Sequence, residues 1–346
     1  MFDGDLLAER ARITPGRLAL VSVETGARLT YAQLSARADR AAAFLRTILQ
    51  PGDRFGLLAF NCTEFIELFF AAGRAGAIVV PLSTRATAHE LEHIARDCAM
   101  KAVVYGEEFA AVVAELPVEH RVAIRDAHGE GSVTAPPHDD ESIYCLLYTS
   151  GTTGKPKGVM MPRRQLWWNG YNTAVNWGLR DDDVSSIFTP LYHAGGIAAF
   201  MIPIFTMGGT IVLHKTFDPS AVWRTIESER STVVLGVPTI WKLLMDAPEF
   251  ATADLSHVRW FISGGAPLPQ YLIEAYQKRG VVFKQGYGMT EVGVNCFTMT
   301  VEDSFQKPGS IGRPMMFTDV RLAQSVGAAG ASPAEFVAST TAGEAP

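Results

Sequence analysis

The chain has 346 residues, of which 48% are hydrophobic and 19% are charged, so it can bury a large core as one α/β unit or as two or three domains. A formal net charge of -6 and a pI of about 5.8 argue against nucleic acid as the main partner. The four cysteines are widely separated, which argues against a zinc site or a disulfide framework and favours a reducing, cytoplasmic location. The acidic start, 1–5, lacks the apolar region of a signal peptide.

The first part of the chain alternates helical patterns with strand patterns. Thr30 is placed to cap a helix whose apolar residues recur with a period of about 3.6. Residues 55–60 form a continuous apolar run, which is typical of a strand buried on both faces. We predict helices over 6–12, from Thr30 onward, over 63–75 and over 90–99, and strands over 19–23, 28–31, 55–60, 77–81 and 102–105.

A polar stretch rich in proline and glycine, 128–141, predicts an exposed connector between two subdomains, 1–127 and 142–322. Beyond it we predict strands over 143–148, 184–188, 210–213, 232–235, 260–263 and 281–283, with helices from 164, over 197–207, 221–229 and 239–245. This alternation predicts an α/β fold with two parallel-rich, doubly wound sheets and helices on their faces. Residues 323–346 have no period and few charges, which predicts a low-complexity tail that is disordered or foreign to the preceding fold.

The segment 194–213 has no charged residue and is long enough to require a membrane check. Pro203 and the pair Gly208-Gly209 divide it. We therefore predict a buried helix, a turn and a strand instead of a transmembrane span.

Residues 148–158 carry the clearest functional signal, with the sequence Tyr-Thr-Ser-Gly-Thr-Thr-Gly-Lys-Pro-Lys-Gly. Glycines let backbone N–H groups approach an anion, and hydroxyl and ammonium groups complete the cradle. A Walker A loop would need glycine where Pro156 stands, so this is a different polyphosphate loop. Lys157 is expected near the β- and γ-phosphates.

Three further motifs also follow predicted strands, at the sheet edge where open α/β folds bind ligands. In 285–291, Gln-Gly-Tyr-Gly-Met-Thr-Glu, the small glycines let the Tyr287 ring lie flat on an adenine, and Glu291 is a hard oxygen ligand for Mg²⁺. In 263–268, small residues suit packing against a flat ring, and in 189–196 His193 stands among glycines. Taken alone, each motif also fits a plain turn or a structural histidine.

Together, these motifs resemble the adenylate-forming (AMP-binding) superfamily over residues 5–322, and its acyl-CoA synthetase branch most closely. Leu29-Thr30-Tyr31, 72–82 and 308–314 match other family segments, and Pro190-Leu191-Tyr192-His193 matches the acyl-site loop of that branch. The resemblance implies a ligase that uses ATP and Mg²⁺ to convert a carboxylic acid, expected to be a medium- or long-chain fatty acid, into an acyl-adenylate. Transfer to coenzyme A would follow, in lipid metabolism.

The resemblance also assigns roles to individual residues. Lys157, Thr290, Glu291 and His193 are the expected catalytic residues, and Glu291 and Thr152 the expected Mg²⁺ ligands. The expected nucleotide contacts are Thr149, Ser150, Gly151, Thr152, Thr153, Gly154, Lys157, Gly265, Ala266, Pro267, Gly286, Tyr287, Gly288, Met289 and Thr290. The aromatic helix that carries Trp167, Trp168, Tyr171 and Trp177 is assigned first to the core and second to the acyl pocket.

The sequence departs from the family after residue 322, because no Thr-Gly-Asp segment and nothing like the small C-terminal lobe follows. The expectation is a large domain with an incomplete β-barrel part, no C-terminal lobe and impaired activity. A non-catalytic nucleotide- or acyl-binding fragment, or adenylation of an aromatic or amino acid, remain alternatives, as does a luciferase-like oxygenase. The absence of an acid in 192–195 disfavours an amino-acid substrate. Peripheral membrane contact and the oligomeric state stay open.

Overall fold

The computed structural model describes residues 5–136, 139–149 and 155–321. Predictions for Ser150, Gly151, Thr152, Thr153, Gly154 and the tail 323–346 lie outside the described residues. The α-helices are α1 (Leu6–Ile13), α2 (Tyr31–Ile48), α3 (Thr63–Ala75), α4 (Ala88–Asp97), α5 (Ala110–Ala114), α6 (Arg163–Trp177), α7 (Ala194–Gly196), α8 (Ile202–Met207), α9 (Pro219–Ser228), α10 (Pro238–Asp246), α11 (Gln270–Lys278) and α12 (Val301–Gln306).

The strands are β1 (Leu18–Ser22), β2 (Arg28–Thr30), β3 (Arg54–Leu58), β4 (Ile78–Pro81), β5 (Ala102–Tyr105), β6 (His120–Ala123), β7 (Ile143–Thr149), β8 (Lys157–Pro162), β9 (Val184–Ile187), β10 (Thr210–Leu213), β11 (Val233–Gly236), β12 (Trp260–Ser263), β13 (Phe283–Gln285), β14 (Gly288–Met289), β15 (Val294–Asn295), β16 (Phe297–Thr298) and β17 (Arg313–Pro314).

The first sheet has six strands in the order β6-β5-β3-β4-β7-β8. Its first five strands run parallel, and β8 returns antiparallel to β7 with Thr149 opposite Lys157. No strand was predicted at β8, although Val159, Met160 and Met161 form a short apolar run. Because β7 and β8 lie beyond 128–141, this sheet takes strands from both sides of the predicted connector, and the two-subdomain division stays a prediction.

What we call the second sheet consists of two hydrogen-bonded groups, the four strands β2-β1-β10-β9 and the three strands β11-β12-β13, which lie side by side along β9 and β11. All of its pairs are parallel except β1 with β2. The two groups are joined where Thr232 N–H donates to Val184 C=O at 2.8 Å, beside β9 and β11. The two parallel-rich sheets with helices between and around them confirm the predicted fold class. The amino-terminal β1 lies in the same sheet as β9 and β10, far along the chain.

Helix positions follow from capping and burial. Thr30 caps α2 with a reciprocal capping box, in which the Thr30 side chain accepts from Gln33 N–H and the Gln33 side chain accepts from Thr30 N–H. Thr87 and Glu90 form the same arrangement at the start of α4. Helix α3 is buried along almost its whole length and packs against α2, so it lies inside the core.

The uncharged segment 194–213 folds as predicted, into buried helical structure, a turn and a strand. After α7, a single π-helical turn spans Ile197–Met201 and leads into α8. Gly208 ends α8 in the left-handed conformation, with φ +85°. No helix in the described ranges is long and apolar enough to cross a membrane.

Beyond β13 the chain forms two short antiparallel ribbons, β14 with β15 and β16 with β17. Within 5–136, 139–149 and 155–321 the strands close into no barrel. The short turn Thr290–Val292 between β14 and β15 packs against β8 of the first sheet, which brings Thr290 and Glu291 to that sheet.

Candidate active site

A cavity of 470 Å³ lies at the carboxyl ends of strands from both sheets. Its walls include residues that follow β4, β9 and β14, together with the last residues of β7. Thr149, His193 and Thr290, which belong to three different sequence motifs, line it together. Convergence of separate loops at this edge is typical of ligand sites in open α/β sheets.

The segment predicted to bind polyphosphate follows β7 and precedes β8, which pair as a hairpin. β7 ends at Thr149 and β8 begins at Lys157, and these two residues are cross-strand partners. The Tyr148 hydroxyl donates to Asp97 Oδ2 at 2.6 Å, which fixes the ring beside Gly158. A Cβ at Gly158 would lie 3.0 Å from the Tyr148 ring, so glycine is favoured there. The hairpin thus holds both ends of the loop, and Lys157 is exposed at its base.

The loop before His193 is held by a side chain that the sequence analysis did not single out. Asn61 Nδ2 donates to Thr189 C=O at 3.1 Å, and Asn61 Oδ1 accepts from Leu191 N–H at 2.8 Å. Asn61 is only 5% exposed. A Cβ at Gly196 would lie 2.5 Å from Pro190 O, so the other side of the loop is also tightly packed. No local pattern marks Asn61, because its partners lie more than a hundred residues away in sequence.

His193 is exposed toward the cavity, and its ring lies 4.6 Å from that of Tyr192. Burial among surrounding protein atoms, and then the positive charge of Arg85, lower the pKa of His193. The imidazole is therefore neutral near pH 7 and can accept or donate one hydrogen bond. Arg85 also lines the cavity and forms no ion pair with the described residues, so its charge is available to an anionic ligand.

The motif at 285–291 starts at the end of β13. The Tyr287 ring is 47% exposed, so one face is available for stacking. A Cβ at Gly288 would lie 1.5 Å from Val294 O, because β14 and β15 pair closely there. Thr290 then enters a short 3₁₀ turn and reaches the cavity. The backbone of Val294 therefore leaves room only for glycine at position 288.

The small-residue motif at 263–267 lies next to this segment. Gly286 N–H donates to Ser263 C=O at 2.9 Å, and Gly265 has φ +80°, which favours glycine. Gly265, Ala266 and Pro267 are all exposed. The structure therefore places the two motifs predicted to enclose an adenine side by side.

Glu291 offers one exposed carboxylate as a metal ligand. Gln165 Nε2 donates to the Glu291 backbone C=O at 3.1 Å, but the carboxylate itself has no hydrogen-bond or ion-pair partner among the described residues. No group of three or more His, Cys, Asp or Glu residues in 5–136, 139–149 and 155–321 could hold a metal ion. One carboxylate without a protein cage suits Mg²⁺, which keeps waters and substrate phosphates as ligands.

Helix α6 contributes mainly to the core, as its first assignment predicted. Trp167 and Trp177 are buried, whereas Trp168 is 54% exposed and packs edge-on against Phe317 at 5.5 Å. Tyr171 is partly buried. Gln165 and Asn169 of α6 donate to the backbone carbonyls of Glu291 and Asn295, which holds α6 beside the segment that carries Glu291.

Comparison with known proteins connects this geometry to a family. Residues 7–329 match the family model described as AMP-binding enzyme. A feruloyl-CoA synthase from Amycolatopsis sp is 38% identical over 326 residues, which cover 92% of this chain and 66% of that protein. The long-chain-fatty-acid–CoA ligase FadD13 of Mycobacterium tuberculosis is 34% identical over 335 residues, again 92% of this chain and 66% of that protein.

Solved structures show the same likeness. The inhibitor-bound N-terminal domain of FACL13 from Mycobacterium tuberculosis superposes with a TM-score of 0.83 at 33% identity, covering 91% of this chain and 83% of that one. ATP-bound MatB from Rhodopseudomonas palustris gives a TM-score of 0.81 at 29% identity, covering 91% and 65%. The chain spans about two thirds of the length of the curated relatives it matches.

Proposed function

This chain belongs to the AMP-binding enzyme family, whose matched members are CoA ligases, and on that premise we propose that it activates a carboxylic acid with ATP to an acyl-adenylate, with coenzyme A as the acceptor in the complete reaction. The observation that carries the proposal is the cavity that Thr149, His193 and Thr290 line together. The loop predicted to bind phosphate and the loop predicted to bind the acyl group therefore face one space.

We assign the polyphosphate of ATP to the β7–β8 hairpin, with Lys157 supplying positive charge. Tyr287 and the neighbouring 265–267 would enclose the adenine, and Thr290 would hydrogen-bond the α-phosphate. Glu291 would hold Mg²⁺, which supplies charge neutralisation on the phosphates when bound. The parts assigned to Ser150, Gly151, Thr152, Thr153, Gly154, Gly286, Gly288 and Met289 stay predictions from sequence.

In the proposed step, a carboxylate oxygen of the acid attacks the α-phosphorus, and the bond from that phosphorus to the bridging oxygen of pyrophosphate breaks. Negative charge is redistributed over phosphoryl oxygens, so fixed donors and cations give most of the catalysis. Neutral His193, which lines the cavity, would orient the acid without adding charge.

Two acid classes are supported to different degrees. The sequence favoured a medium- or long-chain fatty acid, and a fatty-acid–CoA ligase is 34% identical. A feruloyl-CoA synthase is 38% identical, and indoleacetate– and 2-succinylbenzoate–CoA ligases are 30% and 29% identical, which supports an aromatic acid. We therefore propose a carboxylic acid of one of these two classes.

Acid-dependent formation of an acyl-adenylate from MgATP, detected by mass spectrometry, tests the proposal. The panel contains C2 to C18 fatty acids, aromatic acids and amino acids, with Glu291→Ala as the control and ATP binding measured separately. We expect product with one acid class and loss of about 10²- to 10³-fold in rate in the control. Measurable ATP binding without any adenylate would contradict a catalytic role and favour a nucleotide-binding module.

A further inference from the structure

One carboxylate connects helix α4 to the hairpin formed by β7 and β8. Asp97, the last residue of α4, accepts from the Tyr148 hydroxyl at 2.6 Å. This distance is typical of the short, charge-assisted hydrogen bond that a hydroxyl donates to a carboxylate. Burial, and then this bond, raise the pKa of Tyr148, so the phenol keeps the proton that it donates. The Asp97–Tyr148 bond is therefore a permanent link between the helix and the hairpin.

The Tyr148 ring lies across both strands of the hairpin. Tyr148 is opposite Gly158 in the register of β7 and β8, and the next and last pair is Thr149 with Lys157. A Cβ at Gly158 would lie 3.0 Å from the Tyr148 ring, so the ring covers the backbone of β8 at this position. Because the ring is also held at its hydroxyl end, it restricts how far Thr149 and Lys157 can separate.

The end of α4 that carries Asp97 is itself fixed to the first sheet. Arg54, at the start of β3, donates from Nε to Cys98 C=O at 2.6 Å and from Nη2 to Ala99 C=O at 3.1 Å. Ala99 has φ +47°, a left-handed conformation that alanine rarely adopts. Such strain persists only where the surrounding contacts determine the backbone, and it is found most often near functional sites. The Asp97 carboxylate is therefore presented from a rigid position and can hold its partner in place.

Helix α4 also faces the cavity of the candidate site. Glu90 and Ile94 line that cavity, and their spacing of four residues places them on one helix face, which Asp97 continues three residues later. Tyr148 and Thr149 line the same cavity. Asp97 is exposed and forms no ion pair with any residue that the structure describes, so no neighbouring cation competes for its carboxylate. The helix face that borders the cavity thus ends at the bond to the hairpin.

We propose that Asp97 is a positioning residue for the polyphosphate of ATP, and that it acts by holding the Tyr148 ring against β8 and so fixing Thr149 and Lys157. This rests on the proposed function, which assigns the polyphosphate to this hairpin. Donors and cations that are fixed in advance stabilise phosphoryl charge without having to be ordered during the reaction. Loss of the bond leaves Thr149 and Lys157 chemically intact but lets their separation vary, so binding of the β- and γ-phosphates weakens.

The sign of this effect separates positioning from simple electrostatics. A carboxylate near a polyphosphate repels it, so removal of a carboxylate that acted only through its charge would strengthen ATP binding. Positioning by Asp97 predicts weaker ATP binding when the carboxylate is removed. The contacts assigned to the adenine and the α-phosphate lie on other segments and are expected to keep their strength.

The test measures the affinities of MgATP and AMP by calorimetry for the wild type, Asp97→Ala and Tyr148→Phe. AMP lacks the β- and γ-phosphates, so the ratio of the two affinities isolates the contribution of the hairpin. We expect ATP affinity to fall roughly tenfold in each variant, as for loss of a hydrogen bond to a charged group, while AMP affinity changes by less than about twofold. The double variant should lose no more than either single variant, because both changes remove the same bond.

Two further variants control for charge and for the helix. Asp97→Asn keeps an oxygen that can accept from the Tyr148 hydroxyl, so it should retain most of the preference for ATP. Glu92→Ala is the matched control, because it removes the carboxylate of an exposed ion pair with Arg96 on the same helix. It should leave the ratio of ATP to AMP affinity unchanged.

A purely structural bond would lower the melting temperature and weaken ATP and AMP equally, so an unchanged affinity ratio in Asp97→Ala overturns the inference. Stronger ATP binding in that variant, or a wild type that binds ATP no more tightly than AMP, also overturns it. If Asp97→Ala does not fold, Tyr148→Phe, which keeps the ring, decides. Adenylate formation is measured separately: its absence contradicts the proposed function, whereas the affinity ratio still decides the role of Asp97.

Discussion

Replacement of Asn61 by alanine tests how the His193 loop is held. The change removes two hydrogen bonds, to Thr189 C=O and from Leu191 N–H. Leu191 is fully buried, so its orphaned N–H costs about 1–3 kcal/mol, whereas Thr189 is half-buried and water can reach its carbonyl, for about 1 kcal/mol. We expect a loss of about 2–4 kcal/mol in the free energy of unfolding, measured by urea denaturation.

The same variant should change the site itself. A looser loop lets more water reach the imidazole, so the lowered pKa of His193 should move up toward its ordinary value, observed by NMR titration of the histidine ring. Asn172→Ala is the matched control, because buried Asn172 also bonds a loop, at Phe317 and Thr318. It should lower stability without moving the pKa of His193. A loss below about 1 kcal/mol for Asn61→Ala, or an equal pKa change in both variants, would refute this reasoning.

Gly288→Ala should disrupt the β14–β15 pair and abolish ATP binding, because its Cβ would lie 1.5 Å from Val294 O; Gly16→Ala, with no atom within 4 Å, should bind ATP normally in the same calorimetric assay. Burial, opposed by Arg37, raises the pKa of Glu67 from 4.5 to about 7, so the folded state holds more protons than the unfolded state between these values. This group's contribution is therefore present below pH 4.5 and is lost as pH rises through 7. Glu67→Gln should remove about 1–3 kcal/mol of that pH dependence in urea unfolding compared between pH 4.5 and 7; identical slopes for the two proteins would contradict it.

Local sequence patterns were sufficient for most elements. Thr30 and Thr87 start helices because each meets a capping partner three residues on, and this signal needs no tertiary contact. The segment 194–213 was assigned correctly because Gly208 can end a helix at φ +85°. Strand β8 was missed, because a glycine-rich loop precedes it and only its antiparallel pairing with β7 makes it a strand.

The candidate site, too, could be predicted from the sequence only in part. The motifs that carry Thr149, His193 and Thr290 are each contiguous in sequence, so together they could be recognised from the sequence, and their α/β context predicted a shared sheet edge. The bonds of Asn61 and the cavity position of Arg85 depend on segments distant in the chain, and no local pattern records them.

By itself, the sequence determined an α/β chain of the AMP-binding type, because glycines, hydroxyls and caps act through neighbouring backbone atoms. Only the tertiary structure decided which strands share a sheet, since side-chain periodicity specifies a strand's buried faces but not its partner. The tertiary structure also decided that Lys284 is buried against Trp260. A lysine after an apolar run could equally face water, and only the packing of α6 and the π-helical turn onto β12 and β13 encloses it.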